Sequence, residues 1–380
     1  MKHLRLFAIS LTGLLTSGSW TAHAQGKRIV VGMVAPTSGG MATFGQDVVR
    51  GAELALEKFK SIEPDFGSKV EWLVEDSRSD GKSADAATRK LLKEKRADVI
   101  IAGVMGSSVF SISKIAGEAN RPIIAATATN SDLPALNQLI FRAAASDADQ
   151  GRAAVKFAVT QLGKKKLYIL FDATSSAAKA AADTFERHAG KLGAVVAGKK
   201  EFTRGQSNFK TLAAEVKQAD ADAVFVAGYY HEAARFIDAA KEQALRSTII
   251  GSDGWDSPRL SSLASKSALK GPHFLTQFSF QDGDASTKGF VQSYREKFKA
   301  DPSLMAAQGY DAAMLAFDAF KRAGTGSGPS YLTALSTTSP IDGAVGSYAV
   351  GVNRSGKRNW IVMQTTSSNA KFLSRVSPDE

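Results

Sequence analysis

The chain has 380 residues, no cysteine, and 48 Lys and Arg against 37 Asp and Glu, a formal net charge of +11. Without cysteine there is no disulfide, no thiolate metal site and no cysteine nucleophile. The basic excess raises the question of a nucleic-acid partner, but Lys and Arg are spread over helix faces. Lys164 to Lys166 is only a short run, and no basic segment is interleaved with stacking aromatics. The expectation is a solvated basic surface and no nucleic-acid partner.

Lys2 and Arg5 precede an apolar segment, Leu6 to Leu15, and then the triplet Ala22, His23, Ala24. This is the pattern of a secretory signal over residues 1–24, with cleavage before Gln25. Ser10, Thr12 and Gly13 interrupt the apolar run, which is too short to span a bilayer, so no membrane insertion is expected. The lack of cysteine removes the acceptor for a lipid at the cleavage site. An exported, unlipidated protein of the periplasm follows. The remaining 356 residues hold 46 basic and 37 acidic side chains, about +9, and suffice for two or three domains with full cores.

In chain order, Ile29 to Val34 reads as a strand and Gln46 to Phe59 as a helix, with Val49, Ala52, Leu56 and Phe59 on one face. Val70 to Val74 is the next strand, and Ser83 to Lys95 a helix with Ser83 as its N-cap. Val99 to Ala102, Ser107 to Ala119 and Ile123 to Ala126 then read as strand, helix, strand. The order βαβαβαβ implies a parallel sheet covered on both faces. In such sheets a ligand sits beyond the carboxyl ends of the strands, so Gly103 to Ser108 and Thr127 to Asn130 should converge on one crevice.

The pattern restarts after Ala143. Asp149 to Leu162, Ala177 to Leu192, Asn208 to Gln218 and His231 to Gln243 read as helices. Leu167 to Phe171, Val195 to Ala197, Val224 to Ala227 and Ile249 to Ile250 read as strands. Two such sheets mean two lobes. His273 to Gln277 is a short apolar piece, followed by helices over Ser286 to Phe298 and Met305 to Arg322. A Gly/Ser/Pro linker, Gly324 to Ser330, precedes a hairpin-like tail from Gly343 to Phe372 that turns at Asn353 to Lys357.

Four stretches together carry a family resemblance: IVVGMVAPTSGGMATFGQDVVRGAELA, IAATATN with its upstream Gly-Ser turn, AGYYHEAARFI followed by IIGSDGWDSP, and QGYDAAMLAFDAF. Their order and spacing over nearly the whole mature chain resemble the periplasmic solute-binding proteins of the leucine/isoleucine/valine-binding type, capture subunits of ABC importers. The resemblance implies two Rossmann-like α/β lobes with parallel central sheets, joined by three crossing strands and closing on a ligand in the cleft between them. The crossings would fall near Ser146, Thr276 and Lys357. Lobe 1 would comprise residues 27–146 and 277–357, and lobe 2 residues 147–276 and 358–380. It further implies a monomeric receptor that holds a small amino acid without cofactor or metal and delivers it to an ABC transporter permease.

A free α-amino acid needs donors for its carboxylate and acceptors for its ammonium. Ser107 stands where a helix begins, so its hydroxyl, its N–H and the helix N-terminus can face an anion, unless it is merely an N-cap. Thr129 offers a hydroxyl and an N–H from the adjacent strand end, or forms a turn. In the family, residues matching Ser107, Thr127 and Thr129 form this half of the site, the middle one through its carbonyl to the ammonium. Tyr229 and Asp253 each follow a strand. Asp253 suits charge-assisted hydrogen bonds to an ammonium, or is a turn former before Gly254, and either Tyr229 or Tyr230 faces the ligand. In the family an acid and an aromatic hydroxyl at the Asp253 and Tyr229 positions hold the ammonium.

By the same resemblance Phe44, in the ATFGQ loop, covers the ligand and Met105 forms an apolar wall. Ala177 and Ala306 stand where relatives have aromatic rings, which would enlarge or rewet the side-chain pocket, and Trp255 either lines that space or packs away from it. The ligand is therefore not confined to leucine, isoleucine or valine. The same fold could bind an amide, a urea or an aromatic acid, or sense a ligand for a membrane receptor.

Catalysis finds no support. No phosphate-binding glycine motif follows a strand, there is no G-x-S-x-G elbow, and His188, His231 and His273 are widely separated.

Overall fold

The computed structural model describes residues 28–103, 106–337, 340–351 and 353–379, with the side chains of Gly106, Ser107 and Pro258 left aside. β1 (Ile29–Ala35) leads through α1 (Ala42–Ile62) and the short α2 (Pro64–Gly67) to β2 (Val70–Asp76). α3 (Gly81–Lys93) leads to β3 (Val99–Ala102), α4 (Gly106–Glu118) to β4 (Ile123–Ala125), and β5 (Ile140–Arg142) follows. These strands form one parallel sheet in the order β2-β1-β3-β4-β5.

Alternation along the buried strands decides which helix covers which face. Val31 and Met33 of β1, with Ile101 of β3, turn toward α1, while Val30, Val34 and Ile100 turn toward α3 and α4. Both faces are apolar, as a parallel sheet between two helix layers requires.

α5 (Asp147–Lys156), ending in a π-helical turn over residues 157–161, opens the second lobe. β6 (Lys166–Asp172), α6 (Ser176–Ala189), β7 (Val195–Phe202), α7 (Lys210–Gln218) and β8 (Ala223–Ala227) come next. α8 (Tyr230–Glu242), β9 (Thr248–Gly251), α9 (Pro258–Leu263) and β10 (His273–Thr276) complete that run. The chain continues through α10 (Ala285–Phe298), α11 (Leu304–Ala323), α12 (Gly328–Ser336), β11 (Ile341–Gly343), β12 (Gly346–Val350) and β13 (Gly356–Lys357). It closes with the hairpin β14 (Trp360–Thr365) and β15 (Ala370–Val376). The second sheet has the order β15-β14-β10-β9-β8-β6-β7, parallel from β10 to β7 and antiparallel at β14 and β15. β11, β12 and β13 form a small antiparallel sheet packed on the first lobe.

The chain passes between the two cores after β5, after β10 and after β13, and the passes are fastened together. Ala145 N donates to Gln277 Oε1 at 2.8 Å. Arg358, buried, donates to the carbonyl of Ala143 at 2.5 Å and pairs with the equally buried Asp311 of α11 at 2.8 Å. Within the first lobe α1 and α11 touch backbone to backbone. A Cβ on Gly51 would lie 1.9 Å from Ala306 O, and one on Gly309 2.1 Å from Val48 O.

Several local expectations change. α1 begins at Ala42, four residues before the apolar stripe becomes readable, so Phe44 lies in its first turn and not in a loop. The N-cap of α3 is Asp80, whose carboxylate accepts from Ser83 N at 2.8 Å, so Ser83 is inside the helix. The expected linker at 324–330 is a helix junction: Gly324 ends α11 at φ 66°, and Pro329 pre-sets the first turn of α12.

Candidate functional site

The carboxyl ends of the two parallel sheets supply the candidate residues. In the first lobe, β3 ends at Gly103 and β4 runs into the segment Ala126 to Asn130. The Thr127 hydroxyl donates to Gly103 O at 2.8 Å, tying the two strand ends together. The Thr129 carbonyl accepts from the Arg142 guanidinium at 2.8 Å and from Asp147 N at 3.0 Å. Arg142 also reaches the carbonyl of Asn130, and its second terminal nitrogen meets Ser355 Oγ at 2.8 Å. Its side chain is fully buried, and burial lowers its pKa to about 10 against the support of Asp147 and Asp149.

Asp147 is the first residue of α5, whose N-terminus carries a capping box between Ser146 and Asp149. It sits at the start of the second lobe, beside Thr129 of the first. Burial, and then the carboxylate of Asp253, push its carboxyl up to about 7, while a hydrogen bond from the Thr129 hydroxyl and the charge of Arg142 pull the other way. Asp253 opens a single 3₁₀ turn directly after β9. Burial raises its pKa, opposed by the Gln150 side chain and by the backbone N–H groups of Gly254 and Asp253. Two desolvated carboxyl groups, one of them raised further by the charge of the other, make a strong acceptor for a cation brought between them.

Tyr229 is the N-cap residue of α8, and 41 % of its surface is exposed. Burial of the rest and the Asp253 charge raise its phenol pKa, while Arg204 and a hydrogen bond with Ser175 act in the opposite direction. The Arg204 guanidinium lies over the Tyr229 ring, 4.9 Å from its centroid. Tyr230, by contrast, stacks on its neighbour His231 at 4.0 Å between centroids and lies under Arg259 at 5.7 Å.

The structure thus brings Thr127, Thr129, Tyr229 and Asp253 to the facing strand ends and adds four residues not singled out from sequence: Asp147, Gln150, Arg142 and Arg204. Ser107 has its backbone in the first turn of α4, and its side chain, like the whole of Met105, lies outside what is described. Phe44 is exposed on α1. Two residues named for the pocket are buried away from solvent. Ala306 is fully buried, its carbonyl against Gly51 in the α1–α11 contact. Trp255 is fully buried too, lying flat against Gly251, where a Cβ would meet its ring at 2.1 Å. A surface groove of about 1020 Å³ runs between α1, α10 and β11, lined by Leu54, Phe290 and Tyr310 among others, and no candidate residue borders it.

Among the described residues no group of three or more His, Cys, Asp or Glu is placed to hold a metal ion, and no helix is long and apolar enough to cross a membrane. Two Rossmann-like lobes that meet at their strand ends around polar groups define a receptor for a small solute. The chain belongs to the periplasmic binding protein family, whose sequence profile matches residues 28–370.

Among relatives, the Leu/Ile/Val-binding protein of Escherichia coli is 28% identical over 284 residues, 74% of this chain and 75% of that protein. A solved leucine binding protein from Thermotoga maritima superposes with a TM-score of 0.75 at 25% identity, covering 92% of this chain and 99% of that one. A solute binding protein of an ABC transporter from Rhodopseudomonas palustris, solved with 3,4-dihydroxy benzoic acid, shares the fold with a TM-score of 0.73 at 20% identity, covering 93% and 98%. All three are named as binding proteins, the last of them that of an ABC transporter.

Proposed function

We propose that this protein captures a free amino acid between its lobes in the periplasm and presents it to the permease of an ABC importer. The observation that carries the reading is Asp253, a desolvated carboxylate at the end of β9 with Asp147 beside it. A ligand ammonium relieves both, whereas a plain carboxylic acid adds a third negative charge to the same place. The backbone N–H groups at the start of α4 and in the Thr127 to Asn130 segment are the carboxylate half of the same clamp.

The mobile units in this reading are residues 27–146 with 277–357, and 147–276 with 358–380. Ligand contacts made by both favour the closed arrangement over the open one, which is the signal a permease reads. Residues 1–24 are the export signal, removed before Gln25. The names of the relatives support an amino acid as the class of ligand.

A thermal-shift screen of the mature chain against the standard amino acids, aromatic acids and amides tests the assignment, since a tight ligand raises the melting temperature by mass action. An amino acid that raises it and compacts the protein in small-angle scattering is expected. Stabilisation by aromatic acids or amides alone, or a flat response across the panel, would remove the amino-acid assignment.

A further inference from the structure

Arg204 lies two residues beyond β7, at the rim of the site just described, and its side chain is 58% exposed. Two groups fix where it points. Its guanidinium lies over the Tyr229 ring at 4.9 Å from the centroid, and its Nε stands 3.5 Å from Asp172 Oδ2. Asp172, at the end of β6, is fully buried. Its Oδ1 accepts from Thr174 N at 2.9 Å and from Thr174 Oγ1 at 2.6 Å, while Oδ2 has no hydrogen-bond partner among the described residues. A buried carboxylate oxygen left in this way is matched by the nearby cation, and the arginine in turn is held at its Nε edge.

Its two terminal nitrogens make no hydrogen bond to any described residue. A guanidinium presents its donors as a planar fork, and the edge left open here is the one that pairs with a carboxylate through two parallel bonds. The ring beneath it belongs to the candidate site, because its edge lies against Gly254, the neighbour of Asp253, where a Cβ would meet it at 3.1 Å. The adjoining wall is low: Ser175, the N-cap of α6, stands near the Tyr229 hydroxyl, and Ala177 follows in the first turn of that helix.

We propose that Arg204 selects the ligand by its side chain, and that the ligand is an acidic amino acid whose side-chain carboxylate occupies the open edge of this guanidinium. The inference rests on the amino-acid reading above and narrows it. Closure over an aliphatic side chain would strip water from the fork and return no acceptor, a penalty that discriminates against leucine-like ligands. An acidic side chain restores the lost hydrogen bonds and adds a charge-assisted pair.

Titration calorimetry on the mature chain with L-glutamate, L-aspartate, L-glutamine and L-leucine tests this, using wild type, Arg204→Gln and Arg204→Lys. Arg204→Gln takes the cation from the buried Asp172, so circular dichroism melts establish first that each variant folds, and Arg204→Lys keeps the charge beside Asp172. Wild type is expected to bind glutamate or aspartate at least about tenfold more tightly than leucine. Arg204→Gln should lower that preference at least about tenfold, and Arg204→Lys should recover part of it, as a point charge without the fork. Wild type preferring leucine, or a preference unchanged in Arg204→Gln, overturns the inference and leaves the receptor reading standing. An equal loss for acidic and aliphatic ligands in Arg204→Gln places the arginine on the α-carboxylate and overturns the side-chain assignment. Binding of no amino acid at all overturns the receptor reading, and this inference with it.

Discussion

Replacing Asp147 by Asn removes one carboxyl of the facing pair while keeping its size and its capacity to meet Thr129. Burial and Asp253 lift the wild-type carboxyl from 3.8 to about 7. That is about three pKa units, and at about 1.36 kcal/mol each the folded protein bears about 4 kcal/mol for the ionised form relative to the unfolded chain. Because the pKa is raised, no penalty exists below the unfolded value, where both states are protonated. It grows as pH rises from about 4 to about 7 and is constant above. Loss of support for Arg142, whose charge Asp147 helps to stabilise, subtracts from the gain, and relaxation at the site reduces it further. Asp147→Asn is therefore expected to stabilise the ligand-free protein by about 1–3 kcal/mol at pH 8 and by nearly nothing at pH 4.5. Urea denaturation of both proteins across that range measures the difference. A variant that is less stable at pH 8, or a difference that does not change with pH, would refute the assignment of a desolvated acid pair.

Asp253→Asn should weaken amino-acid binding at least about tenfold, about 1.4 kcal/mol, in calorimetry at neutral pH, and unchanged affinity would take the ammonium away from this residue. Arg358→Ala leaves Asp311 buried without its cation and should cost about 3–5 kcal/mol in denaturant unfolding, whereas Arg358→Met with Asp311→Leu should cost clearly less. Gly51→Ala or Gly309→Ala pushes a methyl into the facing helix backbone and should destabilise the chain by about 1–3 kcal/mol. Gly190→Ala, in open space at ordinary φ, should be neutral or stabilising by under about 1 kcal/mol; equal effects at the three glycines would refute the close helix contact.

The buried strands were the readable part of the fold. Val99 to Ala102 is a continuous apolar run closed by glycine, and the observed β3 has the same bounds. β7 was underestimated because it is an edge strand: Lys199, Lys200 and Glu201 sit at the sheet border, where polar residues are tolerated, so apolar content stops before the strand does. That error hid Arg204, whose place beside Tyr229 follows only from where β7 ends. Asp253 was legible because a short strand and a glycine bracket it. Asp147 was not. The capping box of Ser146 and Asp149 accounts locally for an acidic run at a helix start, and the depth of Asp147 arises from the other lobe packing over it. Ala306 is ambiguous for the reverse reason, since a small residue in a helix fits an emptied pocket and a close helix contact equally well.

Arg142 holds the Thr129 and Asn130 segment by its main-chain carbonyls and donates from its second terminal nitrogen to Ser355. The path of that segment at 129 and 130 is thus set by atoms every residue type possesses, whereas its tie to Gly103 needs the Thr127 hydroxyl, and the segment is coupled to the chain just before the third pass between lobes. Side chains at 129 and 130 can therefore be exchanged while Arg142 keeps the main chain in place. On the proposed receptor reading, altering ligand choice at 129 is accordingly a separate engineering problem from keeping the segment in place, and the latter depends on position 142.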